Sequence, residues 1–288
     1  MTEPTTLVRG TWVPSLLWRR KPEVAASALA KLQVTDVWLC LNDNSDRINC
    51  PKWHVFGDSV LRPQKDGKGL ITVGRAGMAQ RAKARARVVA GAEAFRAAGI
   101  QVHGMTWIRP EAAFIEPMIE DLAPIVDEAG LASIQFDAEE PWVLTKGDHN
   151  AAALMIHEGS LGPLSVTCIV SRMGHHTIES LASLPSVTHV MPQAYATKRS
   201  VELGHARPVK VQEMAGNLWT KSPMRLAGKA QIMGLAAYGQ AGIPNHTQAK
   251  AIASQFKAAL AQPDVEGTCY WSARSLLGAA GPIIAATW

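Results

Sequence analysis

The sequence predicts a single (β/α)8 TIM-like barrel, an α/β fold, on three observations. Eight short runs of β-type residues recur along the chain, alanine-rich helical stretches separate them, and the whole occupies 288 residues, the size of one such barrel. The main alternative, a doubly wound sheet, calls for a Gly-rich phosphate turn after its first strand. Here the first run passes into Trp12-Val13-Pro14-Ser15, which offers none.

The strand runs are 7–13, 35–41, 100–108, 133–139, 164–171, 187–195, 231–238 and 267–272. Helical periodicity fills 22–33, 76–98, 111–128, 148–158, 176–184, 209–227 and 247–261, and a shorter helix is expected in 276–286. No linker, repeat or low-complexity stretch interrupts the pattern, so residues 1–288 read as one domain. The segment 43–75 is long for a βα loop. It carries Trp53, His54 and Phe56, which suit a loop folded over the barrel mouth.

Composition narrows the class. Apolar residues make up 47% and charged residues 18%, which fits a folded enzyme and excludes a disordered chain. No apolar run is long enough to span a bilayer. The first nine residues lack a basic region followed by an apolar one, so synthesis and folding in a cytoplasm are expected. Cys168 and Cys269 sit in apolar runs as small hydrophobes. Cys40 and Cys50 could meet across a polar loop, but that compartment disfavours a bridge. No His/Cys cluster has zinc-ligand spacing, so neither a metal nor another cofactor is expected.

The formal charge is +5, and much of it lies in the stretch 80–87, with Arg81, Lys83, Arg85 and Arg87. A solvated helix face accounts for it, with attraction to a polyanionic wall as the functional alternative. No aromatic residues interleave these positions, so a nucleic-acid partner is not expected. The protein is expected to act as a monomer.

Barrel enzymes carry their chemistry at the C-terminal ends of the strands. Side chains alternate along a strand, so in Ser133-Ile134-Gln135-Phe136-Asp137-Ala138-Glu139 one face is apolar and the other carries Gln135, Asp137 and Glu139. The apolar face packs on helices, so the polar face looks into the barrel. Two carboxylates two residues apart lie roughly 6–7 Å apart at Cα. Like charges so close push one pKa upward, which gives a proton donor beside an ionised partner. Glycosidic bond cleavage needs that division of labour. A carboxylate pair held by arginines, or a magnesium site, would use the same residues. Glu140 has the opposite parity and belongs to the rim.

Other strand ends supply residue types that bind sugars: Trp12, Trp107 with Arg109, Gln193 and Tyr195 on one face with Met191, Tyr238 with Gln240, and Trp271. Aromatic rings cover the apolar faces of sugars, and amides bind their edges. His103 points into the barrel as a satisfied core group. His175 and His176 are adjacent and so should not share a face, which argues against a joint ligand role.

The stretch Ile134-Gln135-Phe136-Asp137-Ala138-Glu139-Glu140 resembles the fourth-strand Asp-x-Glu motif of family 25 glycoside hydrolases, the muramidases (lysozymes) of phages and bacteria. It also resembles the end of the acidic motif of family 18 chitinases. Met191-Pro192-Gln193-Ala194-Tyr195 and Trp271 are similar to the sixth-strand and eighth-strand segments of that second family. The resemblance implies Glu139 as general acid and Asp137 as the assisting carboxylate that orients an N-acetyl group. It implies an amino-sugar polymer, peptidoglycan above all, as substrate, and an endolysin released to the wall by a holin as one setting. The sequence departs from family 25 at the first strand, where Gly10-Thr11-Trp12-Val13-Pro14 stands in place of an Asp, and it lacks the earlier aspartates of the chitinase motif. A glycan-binding barrel without catalysis and a metal-dependent barrel hydrolase remain the other two readings.

Overall fold

The computed structural model describes residues 7–41, 61–63, 70–72, 78–139, 142–143, 146–195, 210–237 and 245–288. Its centre is a closed barrel of eight parallel strands: β1 (Val8–Val13), β2 (Asp36–Cys40), β5 (Gln101–Trp107), β6 (Ile134–Asp137), β7 (Leu164–Ile169), β8 (Val187–Gln193), β9 (Ala230–Ala236) and β10 (Val265–Trp271). Each strand pairs with the next in this order, and β10 closes back on β1. The two remaining strands, β3 (Leu61–Pro63) and β4 (Leu70–Thr72), form an antiparallel pair within the long segment after β2. The sequence reading missed that pair, and the rest of the expected 43–75 loop lies outside the described residues.

Outside the barrel run α1 (Ser15–Arg20), α2 (Pro22–Lys31), α3 (Met78–Ala97), α4 (Ala112–Ala129), α5 (His149–Glu158), α6 (His176–Ala182), α7 (Lys210–Thr220), α8 (Pro223–Leu226), α9 (Asn245–Leu260), α10 (Ala273–Leu276) and α11 (Ala280–Ala285). The single helix expected over 209–227 is two. Ser222 accepts from the amide of Met224 as an N-cap, and Pro223 starts a new helix where it lacks an amide to continue the old one. Helix α4 ends where Gly130 takes a left-handed conformation at φ 55°. None of the described helices is long and apolar enough to cross a membrane.

Two apolar layers result from strand parity. Outward side chains such as Val102, Ile134, Phe136 and Val166 meet the helices in one continuous core. Inward side chains, among them Trp12, Trp38, Met105, Met191 and Ile232, fill the barrel itself. The two indoles fit because neighbouring positions lack a side chain. A Cβ at Gly10 would fall 2.4 Å from the Trp38 ring, and one at Gly234 would fall 3.1 Å from the Trp12 ring.

The basic stretch on α3 needs a correction. Expected to stand free in solvent, Arg81 instead bonds Asp121 of α4 at 2.6 Å, and Arg85 bonds Glu128 at 3.1 Å. The stripe Val88, Ala92 and Phe95 faces inward, which turns Arg81 and Arg85 toward the neighbouring helix. Lys83 and Arg87 remain exposed. Loss of Arg81 takes a short charged bond away from a carboxylate that is only 8% exposed. Arg81→Gln should therefore cost about 1–2 kcal/mol in urea denaturation, whereas Arg87→Gln should stay within about 0.5 kcal/mol of the parent. Equal effects of the two changes would mean that the α3–α4 ion pair holds nothing together.

Candidate active site

The site forms where β6 ends. In the sheet register Asp137 stands level with Trp107 of β5 and Thr167 of β7, and Gln193 of β8 stands level with Ile169. All of these point inward. Glu139 lies two residues beyond the strand, on the same face as Asp137. It is half-buried, while Asp137 is 7% exposed.

One side chain joins the two acids. The Gln193 amide nitrogen donates to Glu139 Oε1 at 2.9 Å and to Asp137 Oδ1 at 3.3 Å. Sharing one donor holds those two oxygens within roughly 6 Å of each other, two hydrogen-bond lengths. Burial pushes the Asp137 carboxyl well above the usual carboxylate range, and the neighbouring Glu139 charge adds to the rise. The deeper carboxyl therefore holds a proton more tightly than an ordinary aspartate does. Thr167, level with it, has a buried hydroxyl with no partner among the described residues.

Beneath the acids lies an aromatic floor. Trp12 meets Trp271 with ring centroids 5.9 Å apart and Tyr195 edge-on at 6.5 Å. Its indole nitrogen donates to Gln135 Oε1 at 2.5 Å, and the Gln135 amide in turn faces Met191 Sδ at 2.7 Å. Trp12 is 1% exposed. The sequence places it among the sugar-binding residues, but its burial makes it a support for Trp271 and Tyr195, which are half-exposed and can touch a ligand. Parity puts Gln135 on the inner face, but its role as the link between floor and barrel wall was not legible.

Arg109 is likewise placed by a partner. Its guanidinium makes three bonds to Glu111, the shortest 2.6 Å, and lies 5.9 Å from the Trp107 ring. Trp107 packs edge-on against Phe114 and is half-buried. Arg109 therefore buttresses this wall. Tyr238, Gln240 and Glu140 lie outside the described residues, as do Trp53, His54, Phe56 and Cys50. His103 is satisfied as expected: it bonds Ser133 and Asp36 at the opposite end of the barrel. The expectation that His175 and His176 point apart does not hold, since their rings lie 4.4 Å from centre to centre. His175 caps α6 and His176 begins it, so strand alternation does not apply. Among the described residues no His, Cys, Asp or Glu group could hold a metal ion.

The raised pKa of Asp137 makes stability depend on pH. The folded chain binds this proton more tightly than the unfolded chain. Its contribution is therefore whole below about pH 3.9, the unfolded value, and is lost as pH rises through the folded one. Asp137→Asn removes the titration, so urea unfolding should find the variant gaining on the parent as pH rises above about 4. A gap that stays constant with pH would show that Asp137 ionises normally in the fold.

Neither a protein-family model nor a curated protein matches the sequence. Solved structures do match the fold. A GH113 β-1,4-mannanase in complex aligns at TM-score 0.60 and 8% identity over 92% of this chain and 88% of that one. An apo β-glucosidase aligns at 0.57 and 12% over 92% and 88%. Xylanase 10B from Thermotoga petrophila RKU-1, with xylobiose, aligns at 0.55 and 13% over 93% and 83%. At such identities the likeness establishes the TIM-barrel fold shared with these glycoside hydrolases. None of the three is a muramidase.

Proposed function

We propose that the protein is a glycoside hydrolase acting on a polymer that contains N-acetylhexosamine, with peptidoglycan the foremost candidate. The observation that carries this reading is the Asp137–Gln193–Glu139 cluster, set at the C-terminal mouth of the barrel over an aromatic floor. Among the described residues no carboxylate faces the pair from the ends of the other strands, which offer Trp12, Cys40, Trp107, Ile169, Ala236 and Trp271. A double displacement needs an acid and a nucleophile on opposite sides of the bond. With both acids on one strand, the attacking oxygen is better supplied by the substrate's own acetamido group.

In this mechanism Glu139 protonates the glycosidic oxygen while the acetamido oxygen attacks the anomeric carbon and the bond to the leaving sugar breaks. Positive charge grows on the cyclising acetamido group, directly where Asp137 stands. That charge favours ionised Asp137, so the proton that Asp137 holds at rest passes to Glu139 and on to the leaving oxygen, which leaves Glu139 ionised for the second step. Water then opens the ring with Glu139 as base, and the anomeric configuration is retained overall. Tyr195, Trp107 and Trp271 would hold the sugar faces.

The test is hydrolysis by the purified protein of chitooligosaccharides, purified peptidoglycan, and mannan and xylan oligosaccharides. Cleavage of the acetylated substrates alone, with retention, is expected. Glu139→Gln should lose about 10²–10⁴-fold in turnover, the usual worth of a positioned acid. Asp137→Asn should lose less, because an amide still hydrogen-bonds. Cleavage of mannan or xylan but no acetylated glycan would sink the acetamido-assisted route. Binding without cleavage of any substrate would favour a glycan-binding barrel.

A further inference from the structure

We propose that Trp142, seated by His149, is the positioning residue that holds Glu139 in place. This rests on the reading of Glu139 as proton donor. Glu139 stands past the end of β6, where the amide of Ala138 makes the last ladder bond, to the Thr167 carbonyl. The sheet therefore no longer fixes its backbone. What holds it is the helical turn at Trp142 and Val143, whose amides both donate to the Glu139 carbonyl at 3.0 Å.

That turn is fastened to two helices through one residue. The Trp142 side chain is fully buried, and its indole nitrogen donates to the Thr177 carbonyl in the first turn of α6 at 2.8 Å. The Trp142 carbonyl accepts from His149 Nε2 at 2.6 Å, and the His149 ring stands edge-on to the indole at 5.2 Å. His149 is itself fixed as the first residue of α5, whose N-cap Asp148 accepts from the amides of Asn150 and Ala151. Neither Trp142 nor His149 is among the groups that would touch a sugar. Both act on the backbone that carries the acid, and a shift of about 1 Å in a catalytic group costs up to about 10²-fold in rate.

The experiment reads kcat, KM and amide hydrogen exchange in three variants. Trp142→Phe keeps the ring in the core but removes the donor to Thr177. It should lower kcat roughly tenfold on a chitooligosaccharide with KM within about twofold, and it should speed hydrogen exchange at the amides of residues 142 and 143. His149→Leu should act in the same direction. His149→Gln, whose amide can still reach the Trp142 carbonyl, should restore both kcat and protection. Unchanged kcat and protection in Trp142→Phe, or a His149→Gln protein as impaired as His149→Leu, would overturn the proposal. If the parent cleaves no glycan, the role given to Glu139 fails on its own. The exchange data then decide whether Trp142 and His149 anchor the turn.

Discussion

Everything at the mouth of this barrel rests on one buried indole. Trp12 closes the interior from the first strand, and its ring lies so near Gly234 that a Cβ there would crowd it at 3.1 Å. Its nitrogen is satisfied by Gln135, and its faces and edges set Trp271 and Tyr195 at their angles. The barrel is thereby sealed just beneath the acids. Sealing removes water from one side of Asp137, and loss of water is the main reason its carboxyl holds a proton. Packing in the core thus sets the electrostatics of the site. The strand positions level with Asp137 hold an indole and a hydroxyl in place of charges, so neither neighbouring strand offsets the effect.

Gln193 completes this arrangement. An amide is neutral, so it can bridge two carboxyl groups without fixing which of them is ionised. An arginine in its place would favour both ions and abolish the asymmetry. The bridge keeps the acids close enough to exchange a proton while their burial differs, and the difference in burial divides their roles.

Much of this was legible because barrel strands obey alternation. Parity alone places Gln135, Asp137 and Glu139 on one face, as well as Met191, Gln193 and Tyr195, and the structure brings those two sets together. Eight strand runs were legible for the same reason, although the sixth helical stretch hid a break at Ser222-Pro223. What stayed hidden depends on contacts distant in sequence. The α3 cations looked free because their partners, Asp121 and Glu128, lie a helix away. Trp12 looked like a platform because a strand position shows which way a side chain points but not what covers it. Arg109 looked available because Glu111, two residues on, begins a different local geometry.

The two ends of the barrel handle a buried aspartate in opposite ways, and the contrast bears on which end does chemistry. At the N-terminal end Asp36 accepts from Thr35 Oγ1 at 2.6 Å and lies 3.0 Å from His103 Nε2, while the other ring nitrogen of His103 meets Ser133 at 2.7 Å and Trp38 stacks on the imidazole. Both carboxylate oxygens have partners, and the network is closed on all sides, as a structural seal requires. At the C-terminal end Asp137 has, among the described residues, a single long bond from an amide it shares. A group held so sparingly is a poor fastener, since burial without full pairing costs stability. It is well suited to accept a new partner when a ligand arrives. The same residue type thus seals one end of the barrel and keeps the other responsive, and that difference follows from how many donors each strand end supplies.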